Sequence, residues 1–311
     1  MRLLAQRILA TLPVMAVVAL IVFLLIHLSP GDPAALIAGD LASTDDIAAL
    51  RISLGLDQPL WRQFLIWAAK LAHGDLGISI FTQVPVTELL AQRIEPTLSI
   101  AVSTMLLSLA LAIPLGTLAA YRAGSWVDRL VMLFAVLAFS MPVFLIGYLL
   151  IYTFAIVLQW LPVQGYVRFS EGVGPWLRNL VLPCVNLALV YMALLTRMTR
   201  ATVLEVLQED YIRTARAKGL GVLAVLGHAL RNAAIPIATT VGVGIALLIG
   251  GVVVTESVFA IPGVGRLVID SVQRHDYPVI QSVLLLSAGV YVLINLLIDL
   301  SYRLFDPRIR D

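Results

Sequence analysis

Six stretches free of Asp, Glu, Lys and Arg limit what this chain can fold into: Ile8–Leu28, Pro96–Tyr121, Leu130–Trp160, Asn179–Thr196, Asn232–Thr255 and Tyr277–Ile298. Each is near the ~20 residues that a helix needs to cross the hydrocarbon of a bilayer. The fourth is the shortest and draws on flanking residues such as Trp176 and Leu177. The third is overlong, and Leu161-Pro162 is expected to end its helix. The first run follows Arg2 and Arg7 but exceeds the 7–15-residue core of a secretory signal. Leu28-Ser-Pro-Gly-Asp-Pro33 also lacks a small-x-small cleavage pattern, so an uncleaved first helix is expected. The composition agrees, with 60% hydrophobic and 13% charged residues against ~25% charged in a soluble domain. The expected fold class is an all-α integral membrane protein with six transmembrane helices.

Six spans put both termini on one side and sort the connections into two sets. The set with the termini carries 13 basic and 7 acidic residues, and the other carries 8 and 12. Basic residues near helix ends mark the cytoplasmic side, so both termini are expected in the cytoplasm. Residues 1–28 then hold the N-terminus and first helix, and 29–95 form a large outer loop between helices 1 and 2. Residues 96–311 form a core of five helices with a cytoplasmic loop at 201–232. Turns at Gly31-Asp-Pro33, Leu54–Pro59 and Gly74–Gly77 break the outer loop into short helices, Asp45–Ser53 and Leu60–Ala72. Leu60, Phe64, Trp67 and Leu71 share one face of the second, and Trp61 and Trp67 suit a helix at the membrane interface. Between the last two spans, Pro262-Gly-Val-Gly265 reads as a turn feeding an outer amphipathic helix, Val264–Arg274.

The residues offer no catalytic constellation. His27, His73, His228 and His275 lack metal-ligand spacing, and His275-Asp276 reads as an exposed loop end. Cys184 excludes an internal disulfide or a multi-cysteine metal site and reads as a packed thiol. No phosphate loop is present, and Gly263-Val-Gly265 is too short for a dinucleotide fingerprint. Catalytic, cofactor and metal residues are therefore all expected to be none. Ionisable groups within spans mark proton or ion paths. All six runs lack Asp, Glu, Lys and Arg, with Glu256 and Asp299 only at span ends, so the energy for any transport must arrive from outside the chain.

One cytoplasmic connection stands out by its length. Glu205–Asn232 joins two spans with far more residues than a turn requires, and Gly219-Leu-Gly221 divides it into two expected short helices. Tyr211, Thr214 and Ala215 fall on one face at i, i+3, i+4, bordered by Arg213, Arg216 and Lys218. Small side chains let a helix sink into a partner's groove, while the charges around it fix the register. On the fifth span Gly242, Ala246 and Gly250 recur every four residues, a spacing that suits close helix packing or a pore wall. Pro114, Pro142 and Pro236 mark expected kinks.

At these residues the chain resembles the permease subunit of an ATP-binding-cassette importer of the dipeptide/oligopeptide/nickel branch. The family's cytoplasmic loop carries Glu-Ala-Ala, three residues and Gly. Here Arg213-Thr-Ala215 and Gly219 fill those slots, with the Arg-Thr variant that the peptide branch often shows. His228-Ala-Leu-Arg-Asn232 follows, with Asn232 in the usual proline slot. Other matches are His27–Pro33, Gly74–Ser79, Thr255-Glu-Ser-Val-Phe259 with Pro262–Gly265, Asp276-Tyr-Pro278 and Asp306-Pro-Arg308.

The resemblance implies a type I importer permease fold in a bacterial or archaeal cytoplasmic (inner) membrane, and a chain that is no enzyme. It implies an ATPase-coupling site of Asp210, Tyr211, Arg213, Thr214, Ala215, Arg216, Lys218 and Gly219. The implied partners are a second homologous permease, two cytoplasmic ATPases that bind the ATP and Mg, an outer substrate-binding protein and membrane lipid, with no nucleic acid. The implied cargo is di- or oligopeptides. Nickel, glutathione, oligosaccharide or an opine-like solute are alternatives, and a self-sufficient secondary transporter or channel is the rival from another class.

Overall fold

The computed structural model describes residues 2–28, 34–35, 43–53 and 55–305. Its helices are α1 (Arg2–Leu28), α2 (Thr44–Ser53), α3 (Leu60–Ala72), α4 (Val86–Tyr121), α5 (Trp126–Ser140), α6 (Val143–Leu150), α7 (Val173–Val206), α8 (Asp210–Ala217), α9 (Val222–Val258), α10 (Val264–Gln273) and α11 (Tyr277–Phe305). Among the described residues there is no strand, only an isolated bridge between Ile78 and Pro85. Asp306-Pro-Arg308 and most of His27–Pro33 lie outside the described residues.

Five helices are unbroken and apolar enough to cross a membrane: α1, α4, α7, α9 and α11. The third apolar run behaves differently from the single kinked helix its sequence suggests. Pro142 restricts Met141 to an extended conformation, and Met141 closes α5 with a ψ of 135°. The chain then restarts as α6, bent by 103° from α5. After Leu150 it widens into a π-helical turn, Ile151–Val157. The run stops at Gln159, which takes a positive φ of 53°, before Leu161-Pro162 is reached. Pro114 and Pro236, by contrast, sit inside continuous helices.

The chain divides into two compact units, Met1–Ile94 with Leu267–Leu293, and Glu95–Arg266 with Ile294–Asp311. In the first unit, Phe23 of α1 meets Phe64 and Trp67 of α3 at ring-centroid distances of 5.4 and 5.6 Å. His27 Nε2 pairs with Gln63 Oε1 at 3.0 Å. Half of the expected α3 face is thus packed, while Leu60 and Trp61 stay exposed. Asp276 is no exposed loop end: it is buried and accepts hydrogen bonds from Ser79 Oγ at 2.5 Å and Ile80 N at 3.1 Å.

In the second unit α7 is the hub. Two thirds of its apolar window, 67%, is buried. Cys184 lies buried on it, as a packed thiol should. At its far end Arg200 clasps α5, donating from Nε and Nη2 to the two carboxylate oxygens of Asp128 at 2.5 and 2.7 Å. Such a forked pair fixes geometry as well as charge. Asp128 also accepts from Gly124 N at 2.9 Å, so the turn leading into α5 is held by the same carboxylate.

Candidate functional site

The segment between α7 and α9 is built around one apolar side chain. α8 carries three charged residues in eight positions, yet Ile212 on it is 0% exposed. It lies in the same buried cluster as Val203 and Leu207 after it on the α7 side, and Val225 and Ala229 on α9. Burying such a side chain is worth roughly 1.5–3 kcal/mol, enough to seat a two-turn helix that would not hold alone. A second tie runs from Asn232 Nδ2 on α9 to the hydroxyl of Tyr211. Sequence reasoning named neither Ile212 nor this bond. The signal for Ile212 is its place as the lone large aliphatic residue among Asp210–Ala217.

With Ile212 inward, the other predicted residues face out. Tyr211, Arg213, Thr214, Arg216, Lys218 and Gly219 are exposed, and Ala215 is half-buried. Asp210 and Arg213 form a 3.2 Å ion pair with side chains 94% and 75% exposed. At that exposure the pair adds little to stability and remains free to serve a partner. Asp210 also lies in the first turn, where a negative charge suits the helix dipole. The structure therefore gathers all eight coupling candidates on one short helix and its C-terminal cap.

That cap explains the glycine. Gly219 N donates to Arg216 O at 2.9 Å and Leu220 N to Ala215 O at 3.2 Å. The pattern is a Schellman motif, which requires a left-handed residue at Gly219, and φ there is +82°. A side chain at this position would meet no atom within 4 Å, so a substitution would be penalised through backbone conformation alone. Gly219→Val should cost about 1–2 kcal/mol at the cap. Uptake by the reconstituted importer should fall, while the amount of ATPase co-purifying with the chain changes less; full uptake would refute the bend's role.

The expected second short helix does not form. From Val222 the chain enters α9, which runs for 37 residues to Val258. Gly227 does not interrupt residues 222–235, and the cluster holding Val225, Ala229 and Ala233 packs along that stretch. The segment is thus one short helix slung between the ends of two long ones.

Those long helices are joined along their length. The Tyr191 hydroxyl of α7 donates to Val241 O of α9 at 2.8 Å, crossing where Gly244 leaves room for the ring. Farther along, Asn186 Nδ2 donates to Thr255 Oγ1 at 3.1 Å. The three small residues singled out on this span fall into different surroundings. Gly242 is buried against Ile298 of α11, Ala246 is half-buried, and Gly250 is exposed with nothing within 4 Å. The contact with α7 uses Gly244 and Gly251 instead, the latter leaving 2.8 Å between a would-be side chain and Leu187. The outward face of α9 runs through Pro236, Thr239, Val243, Leu247, Gly250, Val254 and Ser257.

Residues 112–311 match the family described as "Binding-protein-dependent transport system inner membrane component", and residues 1–101 match its N-terminal companion. The "Probable peptide ABC transporter permease protein" of Sinorhizobium fredii is 53% identical over 98% of both chains. The glutathione transport system permease protein of Escherichia coli K12 is 42% identical, over 98% of this chain and 97% of its own. Among solved structures, the MetNI methionine ABC transporter in inward-facing conformations aligns with a TM-score of 0.59 at 18% identity, covering 71% of this chain and 97% of the matched one. That likeness supports a type I importer permease fold. The chain belongs to the binding-protein-dependent transport inner-membrane family, and is a multi-pass permease subunit of an ATP-binding-cassette importer that works with ATPase and substrate-binding proteins.

Proposed function

We propose that this chain forms half of the translocation pathway for di- or oligopeptides and receives the work of ATP hydrolysis through α8. The observation that carries the reading is the inward anchor at Ile212 beneath an outward face of Tyr211, Arg213, Thr214, Ala215, Arg216 and Lys218. A helix fixed on one side and polar with small residues on the other suits insertion into a groove on a soluble partner. The partner is a cytoplasmic ATPase, one of two, and ATP and Mg are held there, with no cofactor in this chain. A second, homologous permease supplies the other half of the pathway. The outward face of α9, with Gly250 on it, is the surface assigned to the pathway. The binding protein delivers solute from the outer side.

Peptide cargo is favoured by the 53% identical relative's name. Glutathione, itself a small peptide, is the second reading, favoured by the 42% identical relative. The test is purification of the chain with its neighbours, identification of the solute on the binding protein, and uptake in proteoliposomes. ATP-dependent uptake of a peptide supports the proposal, with glutathione as cargo selecting the second reading. Uptake by the chain alone, driven by an ion gradient without an ATPase, would overturn both.

A further inference from the structure

Two motifs noted in the sequence, Thr255–Phe259 and Pro262–Gly265, close around a single carboxylate. Glu256, in the last turn of α9, is 0% exposed, so it is no solvent-facing span end. Its Oε1 accepts from Thr97 Oγ1 of α4 at 2.6 Å, and its Oε2 accepts from Arg266 N at 2.9 Å. Thr97 Oγ1 accepts in turn from Val264 N at 2.8 Å. Val264 and Arg266 open α10, where main-chain N–H groups lack partners within the helix and the dipole favours an anion. A buried carboxylate persists only where hydrogen bonds replace its water, and these supply them. The glycines fit the same place: a side chain at Gly263 would run into the Glu256 carboxylate, and one at Gly265 would meet Val253 of α9 first, with that carboxylate 3.0 Å away. One residue earlier, Thr255 holds Asn186 of α7. A single turn of α9 therefore binds α4, α7 and the chain segment 259–266.

We infer that Glu256 is a positioning residue for transport: it fastens the turn 259–266 to α4 and α9, so that this turn moves with the helix pair that α8 grips at the opposite end. The inference rests on the proposed coupling role of α8. α9 is unbroken from Val222 to Val258, so a displacement applied near Ile212 reaches Glu256 along one continuous rod. Without the carboxylate clasp, the turn is left behind when the rod moves, and ATP is spent without a matched opening.

The test uses the assembled importer in proteoliposomes, reading solute uptake and ATP hydrolysis in the same vesicles. Glu256→Gln keeps size, and its oxygen can still accept from Arg266 N, but its amide N–H then faces Thr97 Oγ1 and the Thr97 hydroxyl proton loses the carboxylate as its acceptor. Solute moved per ATP should fall about tenfold, the size expected for one buried donor left unpaired, with complex yield and basal hydrolysis unchanged. Thr97→Val should do the same, Thr97→Ser should restore the wild-type ratio, and the Gln/Val double variant should be no worse than either single one, as for groups in one network. An unchanged ratio in both Glu256→Gln and Thr97→Val would overturn the inference, as would uptake and hydrolysis falling in step. The wild-type arm tests the underlying function separately: if the intact complex hydrolyses ATP without moving solute, that reading falls and takes this one with it.

Discussion

Ala215→Trp should separate this chain from its ATPases while leaving it in the membrane. Ala215 is half-buried on α8, beside the exposed Tyr211 and Thr214. It is the small floor of the face proposed to enter the partner's groove. An indole there fills the space the partner must occupy. Ile212, one turn earlier on α8, is itself unchanged and remains in the cluster that holds α8 against α7 and α9. Docking should weaken about a hundredfold, or ~2.8 kcal/mol at 1.4 kcal/mol per decade. The check is co-purification of the ATPases with the tagged variant, alongside its level in isolated membranes. Normal recovery of the ATPases would reject the assignment of this face. Ala215→Ser, which stays small, should behave as wild type.

Gly244→Leu should break the fold rather than the docking. The first atom of any side chain at 244 would overlap the Tyr191 ring. Displacing that ring also strips its hydroxyl from Val241 O, its hydrogen-bond partner on α9. Overpacking costs about 1–3 kcal/mol and occasionally more, and a lost buried hydrogen bond adds ~1 kcal/mol. A total near 3 kcal/mol should appear as a sharp drop in folded protein recovered in detergent and in its unfolding midpoint. Tyr191→Ala opens the space into which leucine can fit, so the double variant should recover part of the loss. If Gly244→Leu alone purifies with unchanged stability, α7 and α9 do not cross at this point.

The spans were legible because lipid demands long uncharged runs, and all six runs correspond to helices or, for the third, to a broken pair. Pro142 announced a break but could not announce its angle. That 103° bend depends on where α6 packs once Met141 is extended. The small-residue row Gly242-Ala246-Gly250 followed the familiar four-residue spacing, while the tight crossing uses Gly244 and Gly251. These lie seven residues apart and become visible only when Tyr191 and Leu187 are placed opposite. Glu256 looked like an ordinary charge at a helix end, since nothing local reveals Thr97, which is 159 positions away. On α8, the exposed charges were legible from composition. The buried Ile212 was not, because its cluster draws residues from both flanking helices.

The long helices have a further consequence, in distance from the bilayer. The charge-free run of α7 stops at Thr196 and that of α9 starts at Asn232, yet the helices themselves extend to Val206 and from Val222. At 1.5 Å per residue each extension is about 15 Å long. α8 is therefore carried between two helical extensions that continue beyond the charge-free runs. The exposed charges of α8 are screened by dissolved salt over ~8 Å at physiological ionic strength. Attachment to this handle should accordingly weaken as ionic strength rises.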